Sequence, residues 1–376
     1  MIDLTQMGQQ AQAAAQVLAQ LDTATKNQAL LAMAAELTAH TEQILAANAR
    51  DLAAASDQPA KFTDRLRLTP ARISDMANGL KSVAALPDPT ARIDGGFTNA
   101  AGLSIIQKRV PLGVVGMIYE ARPNVTVDAA GLTLKSGNAV MLRGGKEALQ
   151  SNLALTQVLQ TALTKVGLPA QAVQLVADPS RALANEMMHL TAYLDVLIPR
   201  GGAGLIQAVV NTATVPVIET GAGNCHIYVD QTADLEMAKA IVVNAKVQRP
   251  SVCNAAEKLL IHQAVAADYL PALAAALQAH GVALRGDEAA RAIVPNMAAV
   301  TAADWDTEYN DLIMAVKVIA DEDEAIAHIN RHNTKHSESI ITNDYASSER
   351  FLNQVDAACV YVNASTRFTD GEQFGF

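Results

Sequence analysis

Apolar residues recur at intervals of three and four through positions 27–50. Residues 1–86 as a whole are rich in Ala, Gln and Leu at helical spacing, which predicts a helical lead-in. The stretch PDPTARIDGG (87–96) breaks this period with two prolines and two glycines. Beyond it LSIIQKRV (103–110) is β-rich and turns basic near its end, as an arm or edge strand would. From Pro111 the pattern changes. PLGVVGMIYE, NAVMLRG, AVQLVAD, LDVLIPR and VPVIETG are short β-branched runs separated by helical stretches such as EALQSNLALTQVLQTALTKVG. Strands alternating with helices of this length imply right-handed crossovers and a parallel, doubly wound sheet over about 110–221. A second alternation follows: HIYVD, a helix over 237–246, a cysteine segment, KLLIH, a helix near 270–280, LIMAVKVIA, the helix EDEAIAHINRH, SIITND and CVYVNA.

The chain has 376 residues, more than the roughly 250 to 300 at which a single core stops growing. Two α/β lobes are expected. No apolar run approaches the roughly 20 residues of a membrane span. The opening MIDLTQMGQQAQAAAQVLAQ lacks the basic start, apolar block and cleavage site of a secretory signal, so the expected location is the cytoplasm. A formal charge of −10 repels phosphate backbones and no basic cluster offsets it, which argues against nucleic acid as a partner. Cys225, Cys253 and Cys359 are odd in number, far apart and without a CxxC pair, which argues against a disulfide framework and against a metal site.

Open parallel sheets bind ligands at the carboxyl ends of their strands. Two loops there, LRGGKEA (142–148) and IPRGGAGL (198–205), leave an apolar strand, pass two glycines and open a helix, so that backbone amides and the helix dipole face an anion. Gly144, Gly201 and Gly202 are thus candidate cofactor contacts. Neither loop is a GxGxxG or GxxxxGK[ST] string, and paired glycines also serve plain tight turns. Arg143 and Lys146 beside one strand end suit an extra ribose phosphate, which favours NADP over NAD; a solvated basic turn is the plainer alternative.

In QRPSVCNAAEKLL (248–260), Pro250 ends one element and Ser251 can cap the next, which places Cys253 in the first turn of a helix whose dipole stabilises a thiolate. Asn254 could then lend its amide, and its backbone N–H, to a tetrahedral adduct. Cys225 and Cys359 read as packing residues. Glu219 ends the apolar run VPVI, where a carboxylate is costly unless paired or functional; it lies 34 residues before Cys253.

Glu219 to Gly221 followed by Cys253, with PLGVV at Pro111, SGNAVMLRGGKEA at Ser136 and a late FG at Phe374, resembles the aldehyde dehydrogenase superfamily. YEARPNVTVDAAGLTLKSGNA, QRPSVCNAAEKLL, HINRHNTKHSESI and YVNASTRFTDGEQFGF are similar to its γ-glutamyl phosphate reductase branch, and the likeness covers essentially the whole chain. It implies an aldehyde dehydrogenase-like α/β fold with a Rossmann-like NADP-binding lobe (1–87 and 109–223), a catalytic lobe (224–364) and an oligomerisation arm (88–108 and 365–376). It also implies the NADPH-dependent reduction of L-glutamyl 5-phosphate to L-glutamate 5-semialdehyde in proline biosynthesis, with phosphate released and a thioester formed on Cys253. A homo-oligomer is implied, and a glutamate 5-kinase could supply the substrate.

Residue by residue, the resemblance gives Glu308 to the nicotinamide ribose and Glu219 the place of the superfamily's general base. A reductase must not hydrolyse its thioester, so Glu219 either assists deprotonation of Cys253 or stays turned away. Asn124 is the oxyanion candidate, since EARPN stands where the superfamily has a WN-x-P turn. Arg122, Arg249 and Arg367 are candidates for the anionic groups of the substrate, Arg367 first. Family chains continue past FGF by several tens of residues; were that tail truly absent, weakened oligomerisation and low activity would be expected. A non-catalytic dinucleotide-binding relative and a CoA-acylating aldehyde dehydrogenase are the competing readings; the EARPN and STRFTDG strings disfavour the latter.

Overall fold

The structure is a computed structural model that describes residues 2–219 and 221–370; six residues of the tail segment, including FGF, lie outside them. The chain divides into two compact units, 1–220 and 221–376.

The first unit opens with helices Leu4–Leu18, Thr23–Ala39, Thr41–Ala54, Ala60–Leu66 and Pro70–Ala85. Side chains start several of them: Asp3, Asp22 and Thr69 each accept from the backbone amide three residues on, which satisfies a donor the helix itself leaves open. Two antiparallel strands follow, β1 (Ile93–Thr98) and β2 (Ser104–Lys108). The sequence reading took the glycines at 95 and 96 as a break, yet both lie within β1. A Cβ on Gly96 would come within 2.7 Å of the Ile105 carbonyl oxygen, so the glycine permits close pairing. This ribbon leaves Phe97 63% and Ile106 65% exposed.

β3 (Val114–Tyr119), β4 (Ala139–Arg143), β5 (Val173–Leu175) and β6 (Val196–Arg200) form a parallel sheet in the order β5-β4-β3-β6. Helices Asn124–Lys135, Leu149–Lys165 and Arg181–Met188 connect its strands. VPVIETG, expected as a further strand, makes a single parallel bridge from Val217 to Leu197. Pro216 has no N–H to donate, and only its carbonyl and the Ile218 amide join β6.

The second unit holds β7 (Cys225–Val229), β8 (Ala256–His262), β9 (Ala283–Gly286), β10 (Ala298–Ala299), β11 (Ile313–Ile319), β12 (Ser337–Ile341) and β13 (Cys359–Val362). All are parallel, in the order β10-β9-β11-β8-β7-β12-β13. β9 and β10, at four and two residues, were too short to read from the sequence. Helices Leu235–Val247 and Gln263–Ala279 cover one face with Leu259 and Ile261; Glu322–His332 and Tyr345–Gln354 cover the other with Tyr228, Leu260 and Phe351.

β8 runs through the middle of this sheet with all seven residues buried, Glu257 and Lys258 among them. Each charge has a partner. Lys246 reaches Glu257 at 2.8 Å with both side chains fully buried, and Lys258 Nζ donates to the Thr307 carbonyl at 2.8 Å and lies 4.7 Å from the Tyr309 ring centre. Burial pushes Lys258 down to about 8. Among the described residues no helix is long and apolar enough to cross a membrane.

His328, on helix Glu322–His332, packs against Trp305, His226 and His332. Burial, with the nearby His332 and Lys317 charges, lowers its pKa to about 3, against about 6.5 for a free imidazole. Between these values the unfolded chain takes up a proton that the folded unit refuses, so the stability His328 contributes is complete above about 6.5 and is lost as pH falls. Thermal midpoints measured at pH 7 and pH 5 should therefore drop less in His328→Gln than in the parent chain; equal drops would contradict this origin.

Candidate active site

The chemistry-bearing residues of the second unit collect at the amino ends of its strands. Gly221 to Asn224 precede β7, Cys253 precedes β8, Glu308 precedes β11 and His336 precedes β12. The candidate loops of the first unit follow strands, as expected, whereas those of the second precede them.

Cys253 is exposed, whereas Cys225 and Cys359 are buried. It does not begin a helix. Residues 251–255 form turns that lead straight into β8, because the helix-forming residues Ala256, Glu257, Lys258 and Leu259 gain more by pairing in the centre of a buried sheet than by coiling. Helix-dipole activation of the thiol is therefore set aside.

What holds the thiol is main-chain packing. A Cβ built on Gly223 would overlap the Cys253 carbonyl group, so only glycine fits there. The Cys225 thiol donates to the same carbonyl at 3.1 Å. Glu308 Oε1 accepts from the Gly223 amide at 2.8 Å, and the Asn224 amide donates to Thr334 Oγ1 at 3.0 Å.

Asn254 does not lend its amide. Its Nδ2 donates to the carbonyls of Arg367 and Thr369, at 3.3 and 2.8 Å, and its Oδ1 accepts from Arg367 Nη1. Arg367 also donates from Nε to Gln248 Oε1 at 3.0 Å. Burial and the Arg249 charge, in that order, weaken its hold on its proton, opposed by Asp370 and Cys253. Arg249 is itself exposed. Arg367 thus feels both the exposed sulfur and a second cation, Arg249, and paired cations of this kind favour an anionic ligand.

In the first unit the strand ends carry the remaining candidates. Arg143 ends β4, but its Nη2 donates to the carbonyls of Pro179 and Ser180. Gly144 packs against Tyr119 and Asn152 and leaves no room for a side chain. The helix expected to open there begins later, after the short turn Lys146–Ala148. Its first amides are taken: Asp51 accepts from Gln150 N at 3.1 Å and Ser151 N at 2.7 Å. The anion at that helix is a carboxylate of the chain itself. Lys146 is exposed.

The second glycine loop differs. Gly201 and Gly202 lead from β6 into helix Ala203–Thr212, whose N-cap is Gly202 with no side-chain cap. Its leading amides suit a pyrophosphate, so Gly201 and Gly202 fit the phosphate end of a dinucleotide. Asn124 starts helix Asn124–Lys135 and donates to Asp128 Oδ2 at 3.0 Å. Arg122 is ion-paired with Glu120 at 2.6 Å. Glu219 is exposed and bears no burial cost, contrary to the expectation for its strand end.

Asp51, Gly223 and Lys258 were missed from sequence. The only local signal was the Glu-Lys pair followed by Leu259, Leu260 and Ile261, two charges running into an apolar strand.

The sequence profile of the aldehyde dehydrogenase family matches residues 2–300 and 305–375. The chain is 72% identical over 375 residues to a gamma-glutamyl phosphate reductase of Lacticaseibacillus casei, covering 100% of this chain and 90% of the relative. With the enzyme of that name from Lactiplantibacillus plantarum it shares 62% identity over 376 residues, 100% and 91% of the two chains. The crystal structure of the Thermotoga maritima gamma-glutamyl phosphate reductase superposes with a TM-score of 0.96 at 46% identity, over 100% of this chain and 91% of that one. The chain belongs to the aldehyde dehydrogenase family, in its gamma-glutamyl phosphate reductase branch, and is an oxidoreductase with the aldehyde dehydrogenase-like α/β fold. That membership carries a nicotinamide dinucleotide cofactor.

Because the Gly223 backbone lies against the Cys253 carbonyl, Gly223→Ala should cost about 1–3 kcal/mol in denaturant unfolding, as overpacking does. Gly79, exposed in helix Pro70–Ala85 with nothing within 4 Å of an added Cβ, is the control. Gly79→Ala should stabilise by about 0.5–1 kcal/mol. Equal effects at the two positions would refute the packing account.

Proposed function

We propose that the chain reduces L-glutamyl 5-phosphate to L-glutamate 5-semialdehyde with NADPH and releases phosphate, a step of proline biosynthesis. The observation that carries this reading is the exposed Cys253 within the electrostatic reach of Arg367, itself near Arg249, while the other two thiols are buried. The name borne by relatives up to 72% identical supports the same substrate.

Cys253 loses its proton to solvent and its sulfur attacks the acyl carbon. The carbon–sulfur bond forms, the carbon–oxygen bond to phosphate breaks, and a thioester remains on the enzyme. Arg249 and Arg367 hold the phosphate and α-carboxylate, for which a forked cation is the matching donor. Bound NADPH would supply the hydride that takes the thioester to the aldehyde level. The carbon–sulfur bond then breaks, the semialdehyde is freed and Cys253 is returned as the thiolate. Lys146 offers the exposed charge for the 2′-phosphate, Gly201 and Gly202 present amides to the pyrophosphate, and Glu308 takes a ribose hydroxyl. Arg143 supports this end indirectly by fixing the Pro179 and Ser180 carbonyls.

Asn124 is given the oxyanion, its amide exchanging Asp128 for the adduct, and Arg122 stays a reserve anion contact held by Glu120. Glu219 is given no part in the reductive direction. The exposed apolar residues of β1 and β2 support a homo-oligomer, and a glutamate 5-kinase activity is the matching source of the acyl phosphate.

Run backwards with semialdehyde, phosphate and NADP, the reaction should raise absorbance at the nicotinamide band. Cys253→Ser should abolish both this signal and iodoacetamide labelling at that position, and Cys359→Ser should leave the signal intact. Lys146→Glu should weaken NADPH binding about tenfold, equivalent to about 1.4 kcal/mol, with little effect on NADH. A Cys253→Ser protein that keeps its rate would overturn the proposal.

A further inference from the structure

Glu308 faces two ways. The resemblance gives it to a cofactor ribose, yet its Oε1 already accepts from the Gly223 amide at 2.8 Å. Gly223 in turn lies so close to Cys253 that even a methyl group there would overlap the Cys253 carbonyl. The carboxylate is thus one residue contact away from the main chain that carries the nucleophile.

The loop that presents Glu308 is fixed on either side by consecutive residues of one strand. Lys258 Nζ donates to the Thr307 carbonyl at 2.8 Å, just before Glu308, and the Asn310 amide donates to Glu257 Oε1 at 3.2 Å, just after it. Successive strand residues point to opposite faces, so Glu257 and Lys258 grip this loop from the two sides of the sheet. The same strand begins three residues after Cys253. Further along the loop Tyr309 donates to Asp304 at 2.7 Å, and Asp304 pairs with Arg285 at 2.5 Å. Cys253, β8, the 307–310 loop, Glu308 and Gly223 therefore close a ring that returns to Cys253.

We propose that Glu308 is a positioning residue for the nucleophile: through the Gly223 amide it fixes the main chain of Cys253, with Glu257 and Lys258 anchoring the loop that presents it. This deepens the reductase reading and rests on it only for the identity of the nucleophile. A carboxylate that latches the cysteine turn and also meets the ribose makes the order of that turn respond to cofactor binding.

The test uses the full chain without cofactor. Amide hydrogen exchange of peptides covering 221–225 and 252–255 is compared among the parent, Glu308→Ala and Glu308→Gln. A residue serving only the ribose would leave both segments unchanged when no cofactor is present. The inference predicts exchange about fivefold faster in both segments of Glu308→Ala, as the loss of one hydrogen bond allows. Glu308→Gln keeps an acceptor oxygen and should restore the parent rates. Lys258→Met, which frees Thr307, should act in the same direction as Glu308→Ala. Unchanged exchange at 221–225, acceleration that stops short of 252–255, or equal acceleration in Glu308→Ala and Glu308→Gln would each overturn the inference. Failure of the reductase reading appears separately, as absent turnover in the parent chain.

Discussion

Two adjacent charges buried in one strand govern the second unit. Glu257 and Lys258 lie in the middle of the seven-stranded sheet, and an uncompensated charge in such a place costs several kcal/mol. Their partners are therefore obligatory: Lys246 from helix Leu235–Val247, the Asn310 amide and the Thr307 carbonyl. Satisfying the strand's charges fixes the helix before the cysteine turn and the loop that bears Glu308. The position of Cys253 follows from this, since it enters the strand three residues ahead of Ala256.

The candidate residues of the two units lie at opposite ends of their strands. In the first, Arg143, Gly144, Gly201 and Gly202 follow strands, as the general rule for open parallel sheets expects. In the second, the glycine turn, the thiol and Glu308 all precede strands. An amino edge exposes strand N–H groups and turn amides, and here those donors are met by Glu308 and Thr334. The exposed sulfur interacts with the Arg367 charge, which in turn feels Arg249, so the electrostatics around it come from side chains and not from a helix dipole.

Much of this was legible in the sequence. The alternation of strands and helices gave both lobes, because each buried parallel strand leaves an apolar run that needs no partner to be recognised. Cys253 stood out from Cys225 and Cys359, and the structure leaves it as the exposed thiol of the three. The failures have physical causes. KLLIH reads as a strand, but the stretch opening at Cys253 reads as the first turn of a helix, and sheet pairing with a buried ion pair draws Ala256 and Glu257 into the strand instead. Residues 87–96 read as a break, but Ile93 to Gly96 belong to β1, where Gly96 lets two strands approach. The role of Asp51 at the helix after β4 depends on a contact across about a hundred positions of chain, which no local pattern encodes.

The central claim is that one sulfur holds an acyl group while the carbon changes oxidation state. Its most direct test is a single turnover with semialdehyde and NADP in the absence of phosphate, followed by mass spectrometry of the digested chain. The account predicts one equivalent of NADPH per chain and a glutamyl thioester on the peptide that contains Cys253, discharged when phosphate is added. An acyl group on any other residue, or NADPH formed only once phosphate is present, would contradict it.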